Sequence, residues 1–351
     1  MSIGTDKCLH EAESKNGEPP TKVHWQITGR KMELKEVSVI IPCYNCQDLI
    51  GETLQSLAEQ THRNFEVVCV NDGSKDETIS VLQQWKEKNI LDIRIVDKPN
   101  GGVSSARNAG IRAAQGKYVL FLDADDLYHS AYLQSLCDAV EQNQVDVAYC
   151  WVSRKREILS ADGDSLPIVV QTQSEAMRNL LYRMGDVSFC SFLYRKEWLD
   201  RENLLFDEKT RRFEDREFNW KYLCHCKTAA LVDAQLYYYR VTENSATQSK
   251  RMAWSTERLD AVRRVETYME QLQCPFLEEL KSYLFQRVMW SVAKGYAVGG
   301  EKALLKRLGK EYDVKSCMRR TAKDSDMMVV IASWLYLIHP MLFYHIVRLK
   351  K

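Results

Sequence analysis

Apolar residues along the chain gather in short runs that alternate with amphipathic stretches. Four of these runs have the length and the flanking turn residues of buried strands: Val37–Pro42, Phe65–Asn71, Ile93–Asp97 and 118–123. The amphipathic stretches between them predict helices at 47–60, 76–89 and 103–115. This alternation of strand and helix predicts an α/β fold with a mostly parallel sheet flanked by helices.

The pattern becomes mixed after residue 127. The elements predicted there are a helix at 128–143, a strand at 145–152, an irregular stretch near 160–172, a helix at 174–184 and a strand at Ser188–Tyr194. From about residue 250 the pattern is mainly helical. We therefore predict one domain over 37–250, with halves at 37–126 and 127–250, followed by a helical region over 251–351.

Residues 1–36 differ from the rest of the chain. They are polar, contain Pro19-Pro20 and show no apolar periodicity, so we expect a mobile tail. Met32 is a candidate for the natural start, which leaves open whether 1–31 belong to the native product.

The segment 327–347 is the most apolar part of the chain, and three basic residues follow it within 348–351. His339, Pro340 and His345 interrupt the segment. A membrane-spanning helix needs about 20 mostly apolar residues, so the interruption disfavours one. Two interpretations stay open: an interfacial helix that contacts a membrane, and a helix buried against the rest of the protein or a dimer partner.

Charge and cysteine content exclude several classes of protein. The 49 Lys and Arg residues balance 48 Asp and Glu residues to a net charge of +1, so nothing points to nucleic acid. Eleven cysteines, an odd number, without an apolar leader segment, indicate a reducing cytoplasmic compartment. Cys43-x-x-Cys46 lies where a predicted strand ends, and the Cys-His-Cys at 224–226 lacks ordinary zinc spacing, so neither a zinc nor a redox site is expected.

Each predicted strand of the parallel sheet is followed by a loop of specialised residues. These loops are Pro42–Asn45, Asn71–Ser74, Asn100–Gly102 and Asp123–Asp126. Because the carboxyl ends of parallel strands share one edge of a sheet, the loops are expected to converge on one crevice. Any single loop has an ordinary explanation as a turn or a helix cap, but the four together predict a ligand site.

The last loop places three carboxylates, Asp123, Asp125 and Asp126, directly after an apolar strand. Such clustered like charges repel one another unless a cation or hydrogen-bond donors compensate them. Carboxylate oxygens are hard ligands that suit Mg²⁺ or Mn²⁺. The sequence has no G-x-x-x-x-G-K-[ST] loop, so a divalent cation is expected to hold any phosphate group.

In order along the chain, these segments resemble the successive motifs of the family 2 glycosyltransferases. The resemblance rests on Val39–Asn45, Glu66–Asp76, Asn100–Gly110 and Gly116–Asp126, and it covers about residues 37–245. It implies a GT-A fold, which is a Rossmann-like sheet flanked by helices, and a UDP-sugar as the donor.

The resemblance also implies donor-side roles. The donor nucleotide is expected to contact Pro42, Tyr44, Asn45, Asp72, Gly73, Arg107, Asp123, Ala124 and Arg240. Tyr44 would lie near the base, Asp72 at the base edge, and Asp123 on the ribose side. Asp125 would be a metal ligand, with Asp126 as a further candidate. Arg240 either pairs with phosphate oxygens or is a surface arginine.

A second pair of carboxylates, Glu214 and Asp215, resembles the family's Glu-Asp motif at a helix start. The resemblance implies that Asp215 is the catalytic base, with Glu214 as a supporting residue and a possible substitute. Acidic residues also occur at helix starts simply because they interact well with the helix dipole. The family context is what favours the catalytic role.

We therefore expect an inverting hexosyl- or N-acetylhexosaminyltransferase that acts on a lipid-linked oligosaccharide, capsule, exopolysaccharide or lipopolysaccharide chain. It would work at the cytoplasmic face of the membrane, with peripheral contact through 327–351 or a homodimer contact. One alternative is an inactive sugar-nucleotide-binding scaffold in a polysaccharide assembly complex. Another is a nucleotidyltransferase, which would ordinarily carry glycines in the first loop, where Pro42–Asn45 has none.

Overall fold

The computed structural model describes residues 35–163, 166–183, 186–241, 256–323 and 326–349, and within these ranges nine strands form one mixed sheet. The strands are β1 Val37–Cys43, β2 Phe65–Asp72, β3 Ile93–Lys98, β4 Tyr118–Phe121, β5 Leu127–Tyr128, β6 Val147–Ser153, β7 Ile168–Thr172, β8 Phe192–Arg195 and β9 Thr228–Tyr238. Residues 1–34, where we predict a tail, lie outside the described part of the chain.

Helices flank the sheet and continue after it. Those of the sheet region are α1 Ile50–Ala58, α2 Thr78–Glu87, α3 Val103–Ala113, α4 Tyr132–Asn143, α5 Gln173–Tyr182, α6 Lys196–Arg201 and α7 Glu214–Leu223. Those of the C-terminal region are α8 Glu257–Gln271, α9 Leu277–Val298, α10 Lys302–Glu311, α11 Val314–Thr321, α12 Met327–Ile338 and α13 Pro340–Leu349. The α/β fold with a helical C-terminal region is therefore confirmed.

The first four strands form the parallel part of the sheet, in the order β3-β2-β1-β4. Cys43 is in register with Asn71, so β1 and β2 end at the same edge. Beyond β4 the order continues β8-β6-β9-β5, with β8 antiparallel to both of its neighbours and β7 paired with β9. The parallel part thus brings the loops after β1, β2, β3 and β4 to one side, as the sequence predicts.

Close packing fixes α3 against this parallel part. Gly110 of α3 lies over β1, and a Cβ at this position would overlap the side chain of Ile40. The side chains of β1 and β4 are buried on both faces, apart from a partly buried Pro42, as expected for strands covered by helices. The N-terminal end of α3 is thereby held at the edge where the loops converge.

Three of the predicted elements differ from the structure, and β9 and α6 have no predicted counterpart. The helix after β5 begins only at Tyr132, and Phe189–Ser191 form a short 3₁₀ turn before β8. The irregular stretch contains the strand β7, which pairs with β9 and whose residues Ile168 to Val170 are exposed. Because β7 has only five residues and does not alternate between buried and exposed positions, its sequence lacks the periodicity of a half-buried strand.

The apolar segment near the C terminus forms two helices, α12 and α13. The chain is extended at His339, and Pro340 begins α13, where a missing N–H costs nothing. Within the described ranges, no helix combines the length and the apolar character needed to cross a membrane. α12 packs against α11 and α13, and the buried hydroxyls of Thr321 and Ser333 join α11 to α12 at 2.7 Å.

Candidate active site

The loops after β1 and β2 are joined by hydrogen bonds. The Asn45 N–H donates to Ser74 Oγ at 3.1 Å, and the Lys75 N–H donates to Asn45 Oδ1 at 2.8 Å. Asn45 adopts a φ of 48°, a left-handed conformation that asparagine tolerates. Next to it, the Tyr44 ring is half exposed at the edge of the sheet. Asn45 thus connects the two loops and leaves the Tyr44 ring open to a ligand.

Asp72, at the end of β2, binds the loop after β3. Its carboxylate accepts hydrogen bonds from the N–H groups of Gly101 and Gly102 at 2.9 and 2.8 Å, and from Lys98 Nζ at 2.5 Å. Oδ1 accepts two of these hydrogen bonds and Oδ2 accepts one, so a single lone pair on Oδ2 is left for a ligand donor, on a side chain that is 4% exposed. Lys98 is a site-forming residue that the sequence analysis does not single out, because a lysine at a strand end carries no motif.

Gly73 allows the turn after Asp72. Its φ is +70°, and a Cβ at this position would lie 2.8 Å from the Asn100 backbone nitrogen. Only glycine satisfies both conditions at low cost.

Arg107 of α3 is buried between two carboxylates. Its Nη2 donates to Asp123 Oδ1 at 2.8 Å, and its Nη1 donates to Glu214 Oε1 at 3.4 Å. Its guanidinium also lies 4.3 Å from the centroid of the Phe189 ring. Burial alone would lower the pKa of Arg107, but the neighbouring anions, Asp123 first, outweigh burial and raise it. Arg107 therefore joins the loop after β4 to the start of α7.

The turn after β4 is held by Thr53 of α1. The Thr53 hydroxyl lies 2.9 Å from the carbonyl oxygen of Ala124 and 3.0 Å from that of Asp126, close enough to donate to either. Thr53 itself is completely buried. Ala124 is predicted to contact the donor nucleotide. In the structure its carbonyl oxygen faces into the protein toward Thr53, so Ala124 helps to set the backbone geometry of this turn.

Asp125 and Asp126 have different surroundings. Asp126 is buried and accepts hydrogen bonds from the Tyr237 hydroxyl at 2.5 Å and from the Arg240 N–H at 2.8 Å. Burial, together with Asp123 and Asp125, raises the pKa of Asp126 to about 8. The Asp125 carboxylate makes no hydrogen bond or ion pair with any other described residue. Burial, then repulsion from Asp123, raises its pKa.

These surroundings bear on metal binding. Among the described residues, no three His, Cys, Asp or Glu side chains are grouped so as to hold a metal ion. Mg²⁺ and similar cations commonly take only one or two carboxylates and complete their shell with substrate phosphates and water. A partly buried carboxylate without an internal partner, Asp125, fits that requirement. Asp126 fits it less well, because both of its oxygens already accept internal hydrogen bonds.

The second carboxylate pair begins α7. Phe213 precedes the helix with a φ of 77°, and Glu214 and Asp215 fill the first turn, where the helix dipole favours acidic residues. Burial, then the charge of Asp215, raises the pKa of Glu214 to about 7. Asp215 Oδ1 accepts the Arg216 N–H at 2.7 Å.

Asp215 lines a cavity of about 170 Å³ between β6, α5 and α7. Arg154, Ser188 and Tyr239 also line this cavity, and the Arg154 guanidinium lies 5.5 Å from the centre of the Tyr239 ring. Arg216 and Arg258 also lie near Asp215: burial, then the charge of Arg216, lowers the pKa of Arg258, and the charge of Asp215 opposes that shift. The surroundings of Asp215 are therefore rich in positive charge.

Arg240 follows β9 and has internal partners. Its Nε donates to the Asp125 carbonyl oxygen at 2.7 Å, and its Nη2 lies 2.6 Å from Glu52 Oε2. Arg240 therefore fixes the backbone of the turn after β4, which carries Asp125 and Asp126. The sequence analysis does not single out Glu52, because it belongs to an ordinary amphipathic helix. The neighbouring stretch Ser245–Thr247, which resembles a family motif, lies outside the described residues.

Residues 38–202 match the family model described as Glycosyl transferase family 2. A sequence relative is the uncharacterized glycosyltransferase EpsJ of Bacillus subtilis, 35% identical over 60% of this chain and 63% of that protein. Another is the poly(ribitol-phosphate) beta-N-acetylglucosaminyltransferase TarS of Staphylococcus aureus, 26% identical over 59% of this chain and 35% of that protein. The chain thus spans less than two thirds of the length of these relatives.

Two solved structures have a similar fold. Residues 1–349 of S. aureus TarS in complex with UDP-GlcNAc give a TM-score of 0.59 at 20% identity, covering 90% of this chain and 91% of that chain. The mannosyltransferase PcManGT of Pyrobaculum calidifontis, in complex with GDP-Man and Mn²⁺, gives 0.54 at 16% identity, covering 90% and 87%. These likenesses confirm the predicted GT-A fold. The segment 38–202 of this chain is therefore a glycosyltransferase family 2 domain.

Proposed function

We propose that the chain transfers a hexose or N-acetylhexosamine from a UDP-sugar to a hydroxyl of a growing cell-surface glycan, with inversion at the anomeric carbon. The observation that carries this proposal is the contact of Arg107 with both Asp123 and Glu214. That contact brings the carboxylates expected on the donor side and on the acceptor side into one crevice.

On the donor side, the loops after β1 and β2 would hold the nucleotide. Tyr44 offers an exposed ring for stacking on the base, and Asp72 sits among the N–H groups of the next loop. Asp123, oriented by Arg107, would accept hydrogen bonds from the ribose hydroxyls. Asp125 would hold Mn²⁺ or Mg²⁺, with Asp126 positioning the turn. The cation would neutralise charge on the departing diphosphate.

On the acceptor side, Asp215 would take the proton of the attacking hydroxyl. General bases contribute typically 10² to 10⁴ in rate, because an alcohol attacks poorly while it keeps its proton. Asp215 is suited to this role because its carboxylate lines the cavity between β6, α5 and α7. Glu214 has a pKa of about 7 and contacts Arg107, so it would support the base by orienting α7.

The positive charge near Asp215 favours an acceptor that carries phosphate groups. Arg154 lines the cavity and is exposed, so its guanidinium is placed to meet an anionic polymer. Transfer to a polyol-phosphate polymer should exceed transfer to a neutral oligosaccharide. Arg154→Gln should reduce only the former, and Lys155→Gln is the matched control, because Lys155 is also exposed but does not line the cavity. Equal rates on both acceptors would contradict this preference.

The rival functions have weaker support. A scaffold that only binds sugar nucleotides would not need Asp125 and Asp215, and both carboxylates are present with suitable surroundings. A nucleotidyltransferase would need glycines in the loop after β1, where the sequence has Pro42–Asn45. We therefore propose the transferase, acting at the cytoplasmic face of the membrane through peripheral contact of its C-terminal helices. A homodimer contact through the same helices is the competing proposal.

A thermal-shift panel of UDP, GDP, CMP and ADP, each with and without Mn²⁺, tests the donor site. A ligand that binds only the folded state raises the unfolding midpoint. We expect a shift with UDP that requires Mn²⁺, followed by transfer from UDP-sugars. If another nucleotide gave the shift instead, that nucleotide and not UDP would be assigned to the donor. A shift with UDP but no transfer from any UDP-sugar would favour the scaffold, and no shift with any nucleotide would contradict the proposed donor site.

A further inference from the structure

The C-terminal helices carry a basic recess that the proposed sugar transfer does not use. The recess is about 770 Å³ and lies between α9, α11 and α12. Its lining includes four basic side chains, all exposed: Lys315, Arg319, Arg320 and Lys323. None of the four forms an ion pair with a described residue. Cations gathered without carboxylate partners repel one another and favour binding of an anion.

The local charge contrasts with that of the whole chain. The segment 302–323, which forms α10 and α11, has eight Lys and Arg residues and two acidic ones, whereas the full chain has a net charge of only +1. The positive charge is thus concentrated on one pair of helices. Such a patch is the electrostatic footprint of a negatively charged partner surface.

An apolar stripe adjoins the recess. Met327, Ile331, Trp334 and Ile338 of α12 recur at spacings of four, three and four residues, which places them on one face of the helix. All four are exposed, with fractions of 69%, 48%, 56% and 69%. Trp334 also lines the recess, so the apolar stripe and the basic recess are continuous.

This combination selects among possible partners. A purely apolar partner would leave the four cations without counterions, and a nucleic acid would leave the apolar stripe exposed. A bilayer with anionic phospholipids satisfies both parts, because its headgroups supply the negative charge and its acyl region accepts apolar side chains. Tryptophan is the side chain most typical of that boundary.

We propose that the recess of Lys315, Arg319, Arg320 and Lys323 binds the phosphate headgroup of an anionic phospholipid while Met327, Ile331, Trp334 and Ile338 insert beside it. The proposal names the class of lipid at the membrane contact that the proposed function includes. It rests on the proposed function for that contact alone. It does not depend on sugar transfer. The affinity comes from charge in the recess and from apolar burial along α12.

Vesicle flotation tests the proposal with the full chain. Vesicles of phosphatidylcholine are compared with vesicles that also contain phosphatidylglycerol, at low and high salt. We expect flotation with the anionic vesicles and its loss in high salt, because screening weakens exposed charges. The double variant Arg319→Gln/Arg320→Gln should bind on the order of twentyfold more weakly, as each charge near such a surface contributes about fivefold. Trp334→Ser should also weaken binding.

The matched control is Lys86→Gln/Lys88→Gln, which removes two exposed positive charges, one from the last turn of α2 and one from the residue that follows it. It should float like the parent protein. Every variant should retain the UDP-dependent thermal shift of the parent, which reports folding and the donor site independently of lipid. Flotation lost together with that shift would indicate misfolding, and Arg319→Lys/Arg320→Lys, which keeps both charges, should then restore both readouts if the proposal is right.

Two outcomes would overturn the proposal. Equal flotation with neutral and anionic vesicles, unaffected by Arg319→Gln/Arg320→Gln, would mean that the recess does not select headgroups. Absence of flotation together with a dimer that Trp334→Ser dissociates would assign the apolar stripe to contact between two copies of the chain. In either case the donor-site measurements would stand unaffected.

Discussion

The guanidinium of Arg107 lies 2.8 Å from the carboxylate of Asp123, and this pair links α3 to the turn after β4. Lysine would keep the charge but not the planar fork that also reaches Glu214. We expect Arg107→Lys to lower the free energy of unfolding by about 1–3 kcal/mol, because one ammonium group cannot reach both Asp123 and Glu214 and leaves one of them without its hydrogen bond. Urea denaturation measures the change. Arg112→Lys, at an exposed position of the same helix, is the control, and equal effects in both variants would contradict this role.

The proposed base gives the sharpest catalytic prediction. Asp215→Asn keeps the shape of the side chain but removes the proton acceptor, so the transfer rate should fall by about 10² to 10⁴. The Mn²⁺-dependent thermal shift with UDP should remain, because the donor site is unchanged. Asp200→Asn, at an exposed carboxylate on α6, should leave both measurements unchanged. Loss of UDP binding in Asp215→Asn would contradict the assignment.

Asp125 and Asp126 should respond differently to loss of charge. Asp125→Asn should abolish the Mn²⁺ dependence of UDP binding with little effect on stability, since the carboxylate has no partner among the other described residues. Asp126→Asn should mainly lower stability, because the Tyr237 hydroxyl and the Arg240 N–H each donate to a different oxygen of Asp126 and asparagine offers only one acceptor oxygen. Isothermal titration with UDP and Mn²⁺, together with urea denaturation, separates the two effects. Unchanged Mn²⁺ dependence in Asp125→Asn would move the ligand role elsewhere.

Glu214 should make stability depend on pH. Burial raises its pKa from an ordinary 4.5 to about 7, so between these values the folded chain binds more protons than the unfolded one. The contribution of this group to stability is complete below about pH 4.5 and is lost as pH rises through 7. Its slope is at most about 1.4 kcal/mol per pH unit.

Glu214→Gln should remove this slope from a plot of unfolding free energy against pH. Glu197→Gln, at an exposed position on α6, should leave the slope as it is. A parent slope that persists in Glu214→Gln would mean that another group carries it.

Gly73 and Gly51 form a matched pair. Gly73→Ala would combine a φ of +70° with a Cβ 2.8 Å from the Asn100 nitrogen, so a loss of about 1–3 kcal/mol and weaker UDP binding are expected. Gly51 lies in α1, where the nearest atom to a new Cβ is 3.9 Å away. Gly51→Ala should raise stability by about 0.5–1 kcal/mol, because alanine favours helices. Thermal unfolding distinguishes the two, and similar effects would refute the geometric explanation.

Much of the fold follows from the sequence because the parallel strands β1, β2 and β4 are buried on both faces and read as apolar runs. The convergence of the four loops follows from the topology of parallel strands alone. The different surroundings of Asp125 and Asp126 could not be predicted in this way. They depend on Tyr237 and Arg240, which approach Asp126 from more than 100 positions away in the chain. The roles assigned to single site residues, and the domain boundaries, remain predictions.

The interruption at His339 and Pro340 sets a limit on how the C-terminal helices meet a bilayer. With 12 residues, α12 is about 18 Å long, well short of a hydrocarbon core of about 30 Å. The chain is extended at His339, so α13 does not continue α12 as one rod. An attachment of this kind stays within one leaflet. It would let the protein dissociate from one acceptor-bearing patch of membrane and bind another, because no helix would have to be withdrawn from across the bilayer.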